Sequence, residues 1–361
     1  MATSVTDSEW MTEAIALARR GTGTVSPNPR VGCVIVRDNH IVSSGWHQRY
    51  GEEHAEVNAL RNFDGDTDGA VMYVTLEPCS HQGKQGPCTK AIIASGIADV
   101  VVGIQDPYHE VAGRGLAELR SAGVRVRVGV CQNECTELNR TFIHHVTTGS
   151  SYVAAKIATS VDLAISATPP NRWLTSAESR RVVHELRNEF DAVLTGVGTV
   201  IADNPQLTVR DVQGRNPIRL VLDTSLRIPP TSALVTTAHA VPTIIFCAEE
   251  YANSSAAATL QSHGVRILPS TLKNGLINLS KLVETTGSMG IASILVEAGP
   301  HVLHSFLAEG LVNELIVHVA PALVGSSPRW FDNGYGEAME LTSVCSVGPD
   351  VHLRYALRSR L

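Results

Sequence analysis

Short apolar runs rich in Val, Ile and Leu recur along this chain, at residues 31–36, 71–76, 100–104 and 124–130, with helix-length amphipathic stretches between most of them. Runs that short, bounded by turn residues and alternating with helices, predict the strands of a layered α/β sheet. Ser8 is placed to cap a first helix that buries Trp10, Met11, Ala14, Leu17 and Ala18 and stops at Gly21. A turn around Asn39 joins the first strand to a second that begins at Ile41. A helix follows from about Glu53, then helices at 88–94 and 116–121 and a helical stretch at 134–147.

After a small polar stretch at 148–151 the series starts again. Strands are expected at 152–159, 192–196, 218–223, 243–247, 265–268 and 293–297, with helices at 176–190 and 302–309, and 315–319 closes the pattern. No internal repeat relates the two halves. A chain of 361 residues exceeds one average domain, so two α/β domains are expected, 1–150 and 151–361.

Composition excludes several classes of function. Net charge is −6 and the 29 basic residues are scattered, against the clustered basic surface of a nucleic-acid-binding protein. No apolar run nears the roughly 20 residues that span a bilayer, and the acidic first ten residues do not form a signal peptide. Seven irregularly spaced cysteines do not read as a disulfide framework, which points to a reducing, cytoplasmic setting where cysteines serve metals or catalysis.

Two of those cysteines carry the strongest chemical signal. His54-Ala55-Glu56 is followed by Pro78-Cys79 and Pro87-Cys88. One imidazole and two thiolates suit Zn²⁺, and three protein ligands leave a fourth position for water. A Glu two residues after the His completes the base-deaminase signature, in which that Glu shuttles protons and is not a ligand. The division of labour is chemical: the cation acidifies water, and Glu56 carries the proton to the ring nitrogen and departing ammonia. Eight residues separate Cys79 from Cys88 where two are usual. This insertion lies beside the metal and carries His81 and Lys84, which suit an anionic substrate. The second half has no dinucleotide fingerprint: Gly196-Val197-Gly198 is followed by Ile201 where the last Gly should stand. Its run Glu297-Ala298-Gly299-Pro300 leads into a helix and reads either as a phosphate cradle or as a plain loop. The turn-rich segment 199–210, with Asp203-Asn204-Pro205 and a terminal Arg, is its other polar feature.

On these residues the chain resembles the bifunctional riboflavin-biosynthesis deaminase/reductase family. The matching pieces are Ser26-Pro27-Asn28-Pro29-Arg30-Val31-Gly32, Gly45-Trp46-His47, the zinc motifs with their long insertion, Asp106-Pro107 and Gly113-Arg114-Gly115, then Lys156, Ser160, Asp162, Trp173, Thr175, Arg187, Thr199, Asp203, Leu207, Arg210, Glu297 and Gly299. The resemblance implies a cytidine-deaminase-like three-layer α/β/α domain followed by a dihydrofolate-reductase-like α/β domain. It implies one catalytic zinc, NADPH, and phosphoribosyl pyrimidine substrates; sheet enzymes of this size often pair into homo-oligomers. Asn28, His47, His81, Lys84 and Asp106 would meet the deaminase substrate, although Asn28 and Asp106 also suit plain turns. Asn171, Arg187, Leu207, Arg210 and Glu297 would hold the reductase substrate, two arginines gripping its phosphate. Ala158, Trp173, Thr199, Asp203, Thr224, Gly299, Pro300, His301, Val302, Leu303, His304 and Ser305 would hold the dinucleotide, with Asp203 a candidate proton donor.

The chain also departs from the family. Gln85-Gly86 and Tyr108-His109 replace the usual Thr-Pro and Asn-Pro, and Leu163-Ala164, Asn171 and Ala298 replace Gly plus a basic residue, Ser and Gly. A Leu in place of Gly is costly if the position needs a positive φ. A deaminase with a non-catalytic second half is therefore the alternative to a two-step enzyme. A nucleic-acid deaminase is a third reading, disfavoured by 5% aromatic content and the acidic balance.

Overall fold

The computed structural model describes residues 6–63, 65, 67–81, 86–108, 112–166, 173–325, 329–330 and 339–357. The chain forms two compact units, 1–149 and 150–361, each built on its own sheet. Among the described residues no helix is long and apolar enough to cross a membrane.

The first unit begins with α1 (Asp7–Ala18). Its cap is Thr6 and not the expected Ser8. A capping box needs a carboxylate three residues on: Thr6 has Glu9, whose side chain accepts from the Thr6 backbone at 2.6 Å, whereas Ser8 has only Met11. Strands β1 (Gly32–Arg37) and β2 (His40–Trp46) form a hairpin over Asp38 and Asn39, both at positive φ, the geometry of a tight hairpin turn. Then come α2 (Ala55–Arg61), β3 (Val71–Leu76), α3 (Cys88–Ser95), β4 (Asp99–Ile104), α4 (Arg114–Ser121) and β5 (Arg125–Val128). The sheet order is β2-β1-β3-β4-β5, antiparallel at β1 and parallel from β3 onward.

The single helix expected at 134–147 is two, α5 (Gln132–Leu138) and α6 (Arg140–Thr148). The break is Asn139, whose side-chain amide bonds the backbone N–H and C=O of Arg30 at 2.8 and 2.9 Å. That buried long-range pairing leaves the residue outside helical φ/ψ, a tertiary effect that local periodicity does not encode.

Glycine sets how closely helices approach this sheet. A Cβ at Gly32 would lie 2.0 Å from the carbonyl oxygen of Ala14 in α1, and one at Gly45 would lie 2.4 Å from the Ala59 nitrogen in α2. Two bare backbone positions thus seat one helix on each face. The second matters for function, because α2 opens at His54.

In the second unit the strands are β6 (Tyr152–Ser160), β7 (Ala192–Gly196), β8 (Ile218–Leu222), β9 (Thr243–Ala248), β10 (Arg266–Ser270), the short pair β11 (Leu272–Lys273) and β12 (Leu276–Ile277), β13 (Ser293–Val296), β14 (Glu314–Ala320), β15 (Met339–Val347) and β16 (Asp350–Leu357). The nine-stranded sheet runs β10-β9-β8-β7-β13-β6-β14-β16-β15, parallel up to β14 and antiparallel beyond it. Helices are α7 (Ala177–Glu189), α8 (Val197–Asp203), α9 (Ala233–Thr236), α10 (Ser255–Ser262), α11 (Leu279–Ser288) and α12 (Pro300–Ala308). Helices α11 and α12 bury one face through Val283, Leu303 and Phe306; Leu186, Phe190, Val200 and Leu260 bury the other.

The expectation that 315–319 closes the pattern is corrected: the β15–β16 hairpin adds two edge strands. Almost the whole of β15 is exposed, so it carries no core-facing apolar signature, although the alternation Val351, Leu353, Tyr355, Leu357 in β16 was readable.

Gly45→Ala should destabilise the first unit by about 1–3 kcal/mol, the usual range for overpacking, and lower its zinc content. Urea unfolding with metal analysis checks this, and a parent-like midpoint and zinc content would remove Gly45 from the argument.

Candidate functional site

In the first unit the backbone brings three ligand types to one point. His54 is the extended residue that opens α2, Cys79 follows β3 by way of Glu77-Pro78, and Cys88 is the first residue of α3. The Nδ1 of His54 lies 3.5 Å from Cys79 Sγ and 3.3 Å from Cys88 Sγ, and the three ligand atoms fall within 4.8 Å of one another. The Cys88 N–H points to Cys79 Sγ at 3.4 Å, and the Thr89 N–H to the Cys79 carbonyl at 3.2 Å, which braces the ligand loop. A hydrogen bond from the Cys88 thiol, with His54 adjoining, lowers the Cys79 thiol, while the same contact and burial raise Cys88. One imidazole nitrogen and two sulfurs converging on one point form a donor set that fits zinc.

Glu56, one residue into α2, is 3% exposed, and its Oε2 has no hydrogen-bond partner among the described residues. Burial pushes its carboxyl up to about 7. An unsatisfied buried carboxylate oxygen is costly in a structural residue and expected of a proton shuttle.

His54, Cys79 and Glu56 line a cavity of about 350 Å³ that also takes in Asn28, His47, His81 and Asp106. His47 Nδ1 lies 3.0 Å from the Glu53 carbonyl and its Nε2 lies 3.2 Å from Asn28 Nδ2. Nδ1 therefore donates and Nε2 accepts, which turns the Asn28 amide so that Oδ1 is left as an acceptor. Burial, reinforced by His54, lowers His47 to about 4 and keeps it neutral. Burial also raises Asp106 to about 6. Glu77 and Tyr108 are also in the wall, and of its other residues Tyr50, Glu52, Leu76, Phe142 and Val146 were not read from the sequence. Phe142 and Val146 stand one turn apart on α6, a spacing that the sequence displayed without saying what it faced. Lys84 lies outside the described residues, as does half of the insertion.

In the second unit the polar residues gather at the carboxyl ends of parallel strands, where open α/β sheets bind ligands. Arg187, in the last turn of α7, forks Glu297 just beyond β13, with Nε–Oε1 2.7 Å and Nη2–Oε2 2.8 Å. Its Nη1 donates to the Thr208 carbonyl at 3.1 Å, which His184 Nδ1 also meets at 2.9 Å. Burial works to raise Glu297, but the guanidinium prevails and holds it below the usual range; burial lowers the neighbouring Lys156 ammonium. Arg187 is thus engaged, and of the two expected arginines it is Arg210 that presents an exposed guanidinium, steadied by Gln206 and Thr208 at 3.0 Å each.

The remaining positions divide by side-chain direction. Leu207 and Leu303 are 4% and 3% exposed and belong to the core, so only their backbones are available to a ligand. Thr199 accepts from the Gly299 N–H at 3.2 Å, clipping α8 to the turn before α12. Gly299 caps α12 with Pro300 behind it and no side-chain cap, which leaves first-turn N–H groups for a phosphate. His301, Val302, His304 and Ser305 follow in that helix; Val302 packs toward Gly196, His304 bonds the Trp330 carbonyl and Ser305 the His301 carbonyl. Ala158 sits on β6 beside His318, Asp203 ends α8, Thr224 follows β8, and exposed Trp173 lies 5.1 Å beneath the Arg180 guanidinium. Asn171 lies outside the described residues.

Fold and site together define a two-domain α/β enzyme whose first unit carries the ligand set of a zinc-dependent deaminase. Residues 4–104 match the cytidine and deoxycytidylate deaminase zinc-binding region, and residues 151–353 match the RibD C-terminal domain. The chain belongs to the RibD family of riboflavin-biosynthesis proteins. It is 41% identical over 321 residues to the RibD of Aquifex aeolicus, covering 88% of each chain. With the RibD of Escherichia coli it shares 40% over 368 residues, 96% of this chain and 98% of that one. Acinetobacter baumannii RibD superposes with a TM-score of 0.86 at 35% identity, over 98% of this chain and 99% of the other. The Thermotoga maritima diaminohydroxyphosphoribosylaminopyrimidine deaminase/5-amino-6-(5-phosphoribosylamino)uracil reductase also reaches 0.86, at 31% and the same coverage.

The departure at Leu163 has a structural consequence, because its φ is +68°. A left-handed residue with a Cβ costs about 1–2 kcal/mol. Leu163→Gly should therefore be more stable than Leu163→Ala by about 1 kcal/mol, reversing the order usual elsewhere. Urea midpoints decide it, and an alanine variant that equals the glycine variant would refute the strain.

Proposed function

We propose that the chain catalyses two consecutive steps: hydrolytic deamination of 2,5-diamino-6-(5-phosphoribosylamino)pyrimidin-4-one, then NADPH-dependent reduction of the ribosyl chain of 5-amino-6-(5-phosphoribosylamino)uracil to ribityl. The observation that carries the first step is the His54, Cys79 and Cys88 cluster beside the unpartnered Glu56 Oε2, at a cavity walled by Asn28, His47, His81 and Asp106. Zinc held by those three residues would supply the Lewis acid that makes water a nucleophile near neutral pH.

Glu56 does the proton work. Its carboxyl, near 7, accepts a proton from the attacking water and returns it to the ring nitrogen and then to the departing amine. The C–N bond breaks, ammonia leaves, and the water oxygen becomes the ring carbonyl. Asn28, oriented by neutral His47, offers Oδ1 to an N–H on the pyrimidine edge. Asp106, near 6, hydrogen-bonds sugar or base, and His81 binds the phosphate, a role that the residue type of Lys84 also suits.

In the second unit NADPH would supply the hydride. Its phosphates suit the first turn of α12, and Ala158, Trp173, Thr199, Asp203 and Thr224 line its path. Glu297, kept ionised by Arg187 and Lys156, has lone pairs left to accept from the hydroxyls of an opened ribose, and Arg210 grips the phosphate. Seven unpaired cysteines, two of them proposed metal ligands, suit a reducing cytoplasm.

Glu56→Gln should keep its zinc while ammonia release falls by roughly 10²–10⁴-fold; retained turnover would remove Glu56 from the mechanism. The parent enzyme should oxidise NADPH when given the deaminated intermediate. Normal ammonia release with no NADPH consumed would establish instead a deaminase with a non-catalytic second unit.

A further inference from the structure

Glu77 stands outside the roles assigned so far, yet its carboxylate is the most heavily used in the first unit. It is 3% exposed and immediately follows β3, two residues before the ligand Cys79. Its Oε2 accepts from the backbone N–H groups of Asp106 and Gly113, both at 3.0 Å. Its Oε1 accepts from those of Gly115 at 2.9 Å and Leu116 at 3.2 Å. The backbone N–H of Glu77 donates to the Ile104 carbonyl at 2.9 Å, so the residue is itself anchored to β4.

The geometry has a specific result. Asp106 and Gly113 are the two ends of the loop between β4 and α4, and one oxygen atom ties both. The other oxygen holds the first turn of α4, which sits so close that a Cβ at Gly115 would lie 2.0 Å from the Pro78 carbonyl. The loop so closed presents Asp106 and Tyr108 to the cavity. Four backbone N–H donors converge on it, two on each oxygen, so the carboxylate ties the loop to the first turn of α4.

We propose that Glu77 is a positioning residue for the deamination reaction: it holds the substrate-facing loop in register with the metal-ligand loop, and so sets substrate affinity without touching the reacting atoms. This rests on reading Asp106 as a substrate contact. Glu77→Gln replaces one acceptor oxygen by a donor that opposes two N–H groups. KM for the diaminopyrimidinone ribosyl phosphate should then rise about tenfold, the lower end of what one lost charge-assisted hydrogen bond costs, with kcat and zinc content close to the parent. Glu77→Asp, which keeps the charge but shortens the reach, should fall between the two.

A double-mutant cycle separates positioning from general damage. In an Asp106→Ala background Glu77→Gln should add little further to KM, because the contact it positions is gone. Full additivity, a fall in kcat at unchanged KM, or loss of zinc would overturn the proposal. A parent-like KM in Asp106→Ala alone would overturn the Asp106 assignment and not the brace. The brace has its own readout in the unmutated enzyme, where the Asp106, Gly113, Gly115 and Leu116 amides should exchange slowly with solvent. Fast exchange there would refute it even if the Glu77 variants fail to fold.

Discussion

Backbone pairing stops at the carboxyl end of a parallel strand, and the N–H groups just beyond must find other acceptors or meet a ligand. Both units of this chain place candidate site residues on that edge. In the first, the residues after β3 supply Glu77 and Cys79, and those after β4 supply Asp106 and Tyr108. In the second, Glu297 follows β13, Thr199 lies just past β7 and Thr224 just past β8. The sheets are the rigid part, and the sites are what their open ends require.

Three glutamates, two of them buried and one partly buried, show how surroundings alone assign different work to one side chain. Glu77 is saturated by four N–H groups and serves as a brace. Glu297 is forked by Arg187 and stays charged. Glu56 has an oxygen with no partner among the described residues, and burial brings it near the pH at which a proton can move both ways. Opposite environments acting on the same functional group are the means by which one fold separates structure, binding and proton transfer.

Much of the site was readable as residue types at a spacing. His54, Glu56, Cys79 and Cys88 announce a zinc deaminase because few other arrangements need one imidazole, two thiolates and a nearby carboxylate. Strands β1, β3, β4, β7, β9 and β13 were legible because they are buried on both faces and read as continuous apolar runs. Exposed β15 has no such run. The break at Asn139 was hidden because its cause lies more than a hundred residues away at Arg30. Phe142 and Val146 were visible as an apolar pair, but nothing local says that they face a cavity. Arg187 was recognisable, whereas its engagement with Glu297 was not.

The amino-acid sequence by itself determined the two α/β series, the metal-binding residue types and the insertion beside them, because these depend on periodicity and ligand chemistry that are local. Only the tertiary structure decided that the three ligand atoms meet, that His47 is neutral and turns Asn28, that Leu207 and Leu303 face the core, and that Leu163 sits at a positive φ. Each of those outcomes depends on contacts or backbone geometry that residues distant in the chain impose, and short-range sequence patterns do not carry that information.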